Sequence, residues 1–216
     1  MRVALIGDVH TNVSALEAVI QDAHAQEVPV DDVWGLGDWL GYSLDSLPWV
    51  IWYRLQDRLF DDLRSNPGMH GVIGNHDIAV CEGIPGDRSY NDRARKAIYS
   101  QRQMLEGVHV WMDEFRPWLR AQPYLLSPGK GVYLAHGTFW MTHFNAIPFA
   151  YPRDVPHEDS FQSLHQWIAN RPDSAVEPRA KAVDGWRPPL VLITGHTHIQ
   201  GLWQRQPSDP SEREWR

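Results

Sequence analysis

The chain begins with short apolar runs, each followed by polar residues and then by a stretch with helical spacing. Residues 3–7 predict a first buried strand, and apolar residues three and four positions apart predict a helix over 12–26. A second strand is predicted at 33–36, a second helix at 44–63 and a third strand at 69–73. This alternating order predicts a parallel, twisted sheet with right-handed crossovers.

The middle of the chain is less regular. Helices are predicted at 92–105 and 108–119, and a fourth strand follows at 132–135. Residues 138–189 then form a long excursion that is rich in proline and aromatic residues, with one predicted helix at 158–170. Long excursions of this kind often serve as lids or substrate-binding loops.

The pattern ends with a fifth strand, predicted at 190–194, and a segment at 199–204 that is expected to pair beside it. Residues 206–216 are polar and contain proline, so a frayed tail is expected. The chain is therefore expected to form one domain over residues 1–205, followed by this tail.

Composition narrows the class of protein. The chain has 216 residues, 43% of them hydrophobic, which is enough for one large domain with a sizeable core. A formal charge of −7 disfavours broad binding to nucleic acid or anionic membrane, although a local basic groove is not excluded. The one cysteine, Cys81, cannot form an internal disulfide, and no apolar run reaches the roughly 20 residues of a membrane helix. We expect a soluble protein in the cytoplasm.

Clusters of Asp, Asn and His follow the predicted strands, where open α/β sheets place their ligands. In Asp8-Val9-His10 the two polar side chains alternate across one residue, so both can face the same side of an extended segment. The same spacing recurs at His196-Thr197-His198. The five clusters are Gly7-Asp8-Val9-His10, Gly37-Asp38, Gly74-Asn75-His76-Asp77, Ala135-His136-Gly137 and Gly195-His196-Thr197-His198.

These residue types predict a centre for two metal ions. Asp38 is a natural bridge, because the two oxygens of a carboxylate can serve two cations about 3.5–4 Å apart. Asn75 offers a neutral oxygen, which limits the negative charge that faces an anionic substrate. Without a thiolate, the set suits Mn, Fe, Zn, Co or Ni better than Ca or Mg, and manganese is our first choice. The predicted ligands are Asp8, His10, Asp38, Asn75, His136, His196 and His198.

In this order the motifs resemble those of the calcineurin-like metallophosphoesterases, with the pattern D-x-H, G-D, G-N-H-D/E, H and G-H-x-H. The likeness spans nearly the whole chain, to about Gln204, and is closest to a small prokaryotic phosphodiesterase-like branch. It implies a four-layer α/β/β/α sandwich. The resemblance further implies that Asp8, His10, Asp38 and His198 hold one metal and that Asp38, Asn75, His136 and His196 hold the other.

The resemblance also implies a mechanism. A water or hydroxide held between two cations attacks phosphorus in line, and His76, near the leaving group, serves as the general acid. The alternative for His76 is a hydrogen-bonded residue beside the ligands. Gly41 and Tyr42 stand where protein Ser/Thr phosphatases have Asp-Arg, and Asp77 replaces their Glu, which disfavours a phosphoprotein phosphatase. What orients His76 is left open.

The chain ends sooner after its last motif than its relatives do. The second sheet is therefore expected to be shortened at the C-terminus unless the sequence is incomplete there. A missing strand would expose a sheet edge that could pair with a partner, so the oligomeric state is left open.

The substrate is less constrained than the metal centre. Tyr42, Trp39, Trp140 and Asn75 are candidate substrate contacts, since an aromatic face could stack on a nucleobase or aryl leaving group. The predicted function is a metal-dependent phosphoesterase, either a phosphodiesterase or a phosphatase, acting on a small phosphate ester. The alternatives are a nuclease with the same metal pattern, which the acidic charge disfavours, and a non-catalytic scaffold that keeps the fold.

Overall fold

The computed structural model describes residues 2–25, 31–42, 48, 50–51, 70–86, 90–139, 145–149, 157–170, 179–183, 185–196 and 201–204. Most of the predicted helix at 44–63 and all of the tail at 206–216 lie outside these residues. Two predicted site residues, Trp140 and His198, also lie outside them. The described residues form two sheets flanked by helices.

The first sheet is parallel, as predicted. Its strands are β1 (Val3–Ile6), β2 (Asp32–Gly35) and β3 (His70–Gly71), hydrogen-bonded in that order. Helix α1 (Val13–Ala25) connects the first two strands and buries Leu16 and Ile20. Of the predicted third strand at 69–73, the ladder covers His70 and Gly71, and residue 69 lies outside the described residues.

The second sheet contains two strands that the apolar pattern did not predict. One of them ends in Ser-Pro-Gly and the other has only three residues inside the excursion, so neither shows a run of alternating apolar positions. The expected pairing of 199–204 beside the fifth predicted strand is confirmed, and it is antiparallel. The order is β6-β4-β5-β7-β8, with β4 (Leu125–Gly129), β5 (Val132–Ala135), β6 (Ala180–Ala182), β7 (Val191–Thr194) and β8 (Gly201–Gln204).

Four more helices lie in the described residues. The sequence correctly predicts α3 (Asp92–Leu105), which Asn91 caps by accepting a hydrogen bond from a first-turn N–H. It makes no prediction for residues 75–82, which form α2 (Asn75–Glu82). The predicted helix at 108–119 is interrupted by a π-helical turn, Trp111–Phe115, before α4 (Arg116–Ala121), and α5 (His157–Asn170) lies in the excursion. No helix of the described residues is long and apolar enough to cross a membrane.

Three apolar clusters separate four layers. In the first, helices including α1 pack on the outer face of the first sheet through residues such as Leu16. In the second, Leu36 and Leu134 bring the two sheets face to face. In the third, Tyr133 of β5 packs near Leu164 of α5. The predicted α/β/β/α sandwich is therefore confirmed, and the strand ends that carry the polar clusters meet along one edge of the paired sheets.

Candidate metal centre

Asp38 lies at the centre of a group of imidazoles. Its carboxylate Oδ2 is 3.2 Å from His136 Nε2 and 3.7 Å from His10 Nε2. Ligand atoms of Asp38, His10 and His76 lie within 4.8 Å of one another, and so do those of Asp38, His136 and His196. Asp38 is thus shared between two clusters, which is the position that a bridging carboxylate needs.

The loops after β1 and β2 are joined along their backbones. The N–H of Asp8 donates to the carbonyl of Gly37 at 3.0 Å, and the N–H of His10 donates to the carbonyl of Asp38 at 2.9 Å. Asp8, His10, Thr11 and Asp38 have φ angles of 54°, 49°, 61° and 56°, a left-handed conformation that non-glycine residues rarely adopt. Backbone strain of this kind concentrates at functional sites, where the surrounding structure holds it in place.

His136 connects the two sheets. It follows β5 directly, and its Nδ1–H donates to the carbonyl of Leu36 at 2.7 Å. Its Nε2 therefore faces the site, where it lies 3.1 Å from Asn75 Oδ1 and 3.0 Å from His196 Nδ1. A backbone partner on one ring nitrogen fixes which nitrogen is left for a ligand.

Asp8 joins the site from the first sheet. Its carboxylate accepts hydrogen bonds from the backbone N–H of His196 at 3.1 and 3.2 Å. A Cβ on Gly195 would lie 2.9 Å from Asp8 Oδ2, so this approach needs a glycine. The Gly195 N–H also donates to the carbonyl of His136 at 3.0 Å. The structure thus brings six of the seven predicted ligands together; the seventh, His198, lies outside the described residues.

Burial and mutual charge set the protonation of this group. Burial alone would raise the pKa of Asp38, but the charges of His136 and other histidines hold it far below its usual range. Burial would lower the pKa of His136, yet the Asp38 charge raises it to about 9. Burial and the charge of His136 lower the pKa of His196 to about 3, so its ring is neutral near neutral pH.

This donor set suits divalent cations. An ionised carboxylate, an amide oxygen and two imidazoles converge on one point beside His136 Nε2, and a single proton there cannot serve all of them. A neutral imidazole such as that of His196 is the form that coordinates a metal. The two clusters around Asp38 could therefore hold metal ions, with oxygen and nitrogen ligands typical of Mn, Fe, Zn, Co or Ni.

His76, which belongs to the same cluster as His10, lies in the first turn of α2. Its backbone N–H donates to Asp38 Oδ1 at 2.9 Å. Its ring is 4% exposed and packs against three other rings, with centroid distances of 4.8 Å to His10, 4.7 Å to Tyr42 and 5.3 Å to Tyr90. Tyr90 was not predicted, because a single tyrosine between two helices carries no pattern.

The predicted aromatic contacts fall in different places. Tyr42 is half-buried at the site, where its hydroxyl accepts a hydrogen bond from Asn91 Nδ2 at 3.1 Å. Trp39 is 1% exposed and packs in the first apolar cluster near Trp118, so we withdraw it as a substrate contact. Its large apolar ring packs against other buried side chains of the core. Trp140 lies outside the described residues.

Asp77 has a role that the sequence analysis did not predict. It is 0% exposed, and its carboxylate accepts hydrogen bonds from the backbone N–H of Asp38 at 2.8 Å, Leu40 at 3.0 Å and Gly74 at 3.1 Å. These contacts hold the loop that carries Asp38 against the start of α2. Burial, together with the charge of Asp38, raises the pKa of Asp77 to about 7.

The chain belongs to the calcineurin-like phosphoesterase family, whose model matches residues 1–200. No functionally curated protein matches the chain significantly.

Three solved structures are similar to this chain. A metallophosphoesterase from Sphaerobacter thermophilus is 28% identical, with a TM-score of 0.52 over 92% of this chain and 61% of that one. A hypothetical protein from Pyrococcus horikoshii OT3 is 16% identical, with a TM-score of 0.48 over 77% of this chain and 65% of that one. A cold-active protein-tyrosine phosphatase of a psychrophilic Shewanella is 19% identical, with a TM-score of 0.43 over 78% and 48%. The chain spans less than two thirds of each.

Proposed function

We propose that this protein is a binuclear metal-dependent phosphoesterase that hydrolyses a small phosphodiester or phosphomonoester. The observation that carries this proposal is the position of Asp38, whose carboxylate is shared by two clusters of imidazoles at the edge of the paired sheets. Shared carboxylates of this kind hold two metal ions close together in phosphoryl-transfer sites. The family match supports the same chemistry.

The proposed ligands divide into two sets that share Asp38. When bound, the cations would supply the Lewis acidity that activates water and neutralises charge on the phosphoryl oxygens. The amide of Asn75 adds no negative charge to a site that receives an anion. One set is Asp8, His10, Asp38 and His198, and the other is Asp38, Asn75, His136 and His196.

His76 is the proposed general acid. Its ring lies among His10, Tyr42 and Tyr90, close to the ligand atoms of His10 and Asp38, where it can face a departing oxygen. A protonated imidazole there donates its proton to the leaving alkoxide. Tyr42 and Asn75 are the proposed substrate contacts within the described residues.

The proposal is tested with metal-stripped protein that is refilled with Mn, Ni, Co, Zn or Mg. Hydrolysis of bis-p-nitrophenyl phosphate and of p-nitrophenyl phosphate is then measured for the wild type and for His76→Gln. His109→Gln is the matched control, because His109 is exposed on the surface. We expect Mn to restore turnover in the wild type and in the control. Preference for the diester indicates a phosphodiesterase, and preference for the monoester indicates a phosphatase.

The role of His76 predicts a dependence on the leaving group. An alkoxide needs a proton as it departs, whereas p-nitrophenolate departs readily without one. We therefore expect His76→Gln to lower turnover by about 100-fold or more for an alkyl ester and by much less for the p-nitrophenyl ester. Equal losses on both esters would contradict the acid role. Binding of two metals without turnover of any phosphate ester would contradict the proposed function and favour a non-catalytic scaffold.

A further inference from the structure

We infer that Gln101 is a positioning residue for His10 and His76, an inference that rests on the proposed function of those side chains. Gln101 lies on α3 and is 0% exposed. It belongs to none of the motifs around the metal centre, and it lies 60 residues from the loop residue Gly41 that it contacts. Its side chain extends from α3 to the loop that contains Gly41.

The Gln101 amide uses both of its polar atoms on the two strained loops. Its Oε1 accepts from the N–H of Gly41 at 3.0 Å, and its Nε2 donates to the carbonyl of Gly41 at 2.6 Å. Nε2 also donates to the hydroxyl of Thr11 at 2.9 Å. Because Gly41 offers one donor and one acceptor, this pairing fixes the orientation of the amide. One buried side chain thus holds the loops after β1 and β2 together.

The loops held in this way set the direction of His10. The Thr11 hydroxyl donates to the carbonyl of His10 at 2.6 Å. The carbonyl of Leu40, next to Gly41, lies 2.9 Å from His10 Nδ1 and accepts its proton. The Nε2 of His10 is then the nitrogen that faces Asp38. Partners that fix a ring nitrogen in this way determine which nitrogen a metal can bind.

The same contact places His76. Gly41 has a φ angle of 111°, and a Cβ at this position would overlap the His76 ring and lie 2.9 Å from His10 Nδ1. Both rings therefore pack directly on the backbone that Gln101 holds. A shift of Gly41 would move both rings at once.

Strain makes this support necessary. His10 and Thr11 have φ angles of 49° and 61°. A left-handed backbone at non-glycine residues persists only where the surroundings hold it. Without the three hydrogen bonds of Gln101, we expect the loops to relax and His10 Nε2 to turn away from Asp38.

Gln101→Met tests the inference, because methionine keeps the length and helix propensity of glutamine but forms none of the three hydrogen bonds. Gln103→Met makes the same change at an exposed position of the same helix. Leu105→Ala removes a buried apolar side chain from that helix and controls for lost stability. Mn binding to each metal-stripped protein is measured by calorimetry. The free energy of unfolding, kcat and KM on bis-p-nitrophenyl phosphate are also measured.

We expect Gln101→Met to bind one Mn equivalent as the wild type does and the second about 10- to 100-fold more weakly. Its kcat is expected to fall while KM changes little. Leu105→Ala is expected to lose stability but to keep both Mn affinities. The inference is overturned if Gln101→Met keeps both affinities, if Leu105→Ala alters them equally, or if the wild type binds fewer than two Mn ions.

The two proposals can fail separately. If Gln101→Met binds the second Mn more weakly and the wild type hydrolyses no phosphate ester, the positioning role is supported and the proposed function is contradicted. Turnover by the wild type, with unchanged Mn affinities and kcat in Gln101→Met, would support the function and overturn the positioning role.

Discussion

The two halves of the candidate metal centre are built in different ways. The first-sheet half consists of the loops 8–11 and 37–41, in which Asp8, His10 and Asp38 have left-handed backbones. In the second-sheet half, His136 directly follows a strand and its ring is held by one backbone carbonyl, while His196 has a left-handed φ angle of 65°. Left-handed residues are therefore concentrated in the two loops of the first-sheet half, whereas in the second-sheet half His196 is left-handed and His136 is placed by the end of its strand.

This difference shows where the support of each half must come from. Strained loops need buried partners, and the structure supplies Asp77 from α2 and Gln101 from α3. His136 needs only the β5 strand and the carbonyl of Leu36. Substitutions outside the motifs should therefore disturb the first-sheet half more than the second.

Asp38→Asn should have the largest effect, because Asp38 belongs to both clusters. Loss of its negative charge should weaken the binding of both metals and lower turnover by more than about 100-fold. This loss is larger than the loss expected when a residue that only hydrogen-bonds to a metal ligand is replaced. Asp32→Asn is the matched control, since Asp32 is also buried but bonds to the indole of Trp34 away from the site. Metal content and turnover are the measurements. Retention of both metals by Asp38→Asn would contradict the proposal that both metals share the Asp38 carboxylate.

Gly41→Ala should have the next largest effect, and this effect should be confined to the first-sheet half. The added methyl group would overlap the His76 ring, and a displacement of about 1 Å near the reacting atoms can lower turnover by about 100-fold. Gly107→Ala is the matched control, because Gly107 also has a positive φ angle, 77°, but open space around it. Turnover is compared at equal folded fraction. Equal losses in the two variants would mean that backbone strain alone explains the effect.

The two halves also differ in how far the sequence could predict them. The polar clusters after strand-like runs identified Asp8, Asp38 and His136, because alternation and strand ends are visible in one sequence. The left-handed backbone angles were not visible, since Asp and His adopt this conformation at only a minority of positions. The family resemblance added the division of ligands between two metals.

The supporting residues could not be predicted for a related reason. Gln101 reaches Gly41 across 60 positions, and a glutamine in an amphipathic helix usually faces solvent. Asp77 is next to His76 in the sequence, but the sequence does not show that its carboxylate accepts hydrogen bonds from the backbone of the loop around Asp38. The strands β4 and β6 were missed because neither shows a run of alternating apolar positions, and their pairing with neighbouring strands is not visible in the sequence.

The second-sheet half should show its own signature in the pH dependence of metal binding. His136 has a pKa raised to about 9 and is protonated in the metal-free protein at neutral pH, whereas the pKa of His196 is lowered to about 3. A metal must displace the His136 proton, so Mn affinity should rise by about tenfold per pH unit up to about pH 9.

Calorimetry in buffers of different ionisation enthalpy counts the protons released. His196→Gln should bind Mn more weakly but keep the same pH slope, because that ring is already neutral. A pH-independent affinity between about pH 7 and about pH 9 would contradict protonation of His136 in the metal-free protein.

Asp77 should give the smallest effect, in the pH dependence of stability. Its pKa in the folded protein, about 7, lies above the ordinary value of 3.8, so the folded state binds this proton more tightly than the unfolded state does. The resulting stabilisation is complete below about pH 4 and is lost as the pH rises through about 7. In metal-stripped protein, Asp77→Asn should remove this part of the decline in the free energy of unfolding. Asp113→Asn, at an exposed position, controls for net charge and should keep the wild-type slope. If Asp77→Asn also keeps that slope, the carboxylate is ionised in the folded state, and its three backbone N–H donors outweigh both its burial and the charge of Asp38.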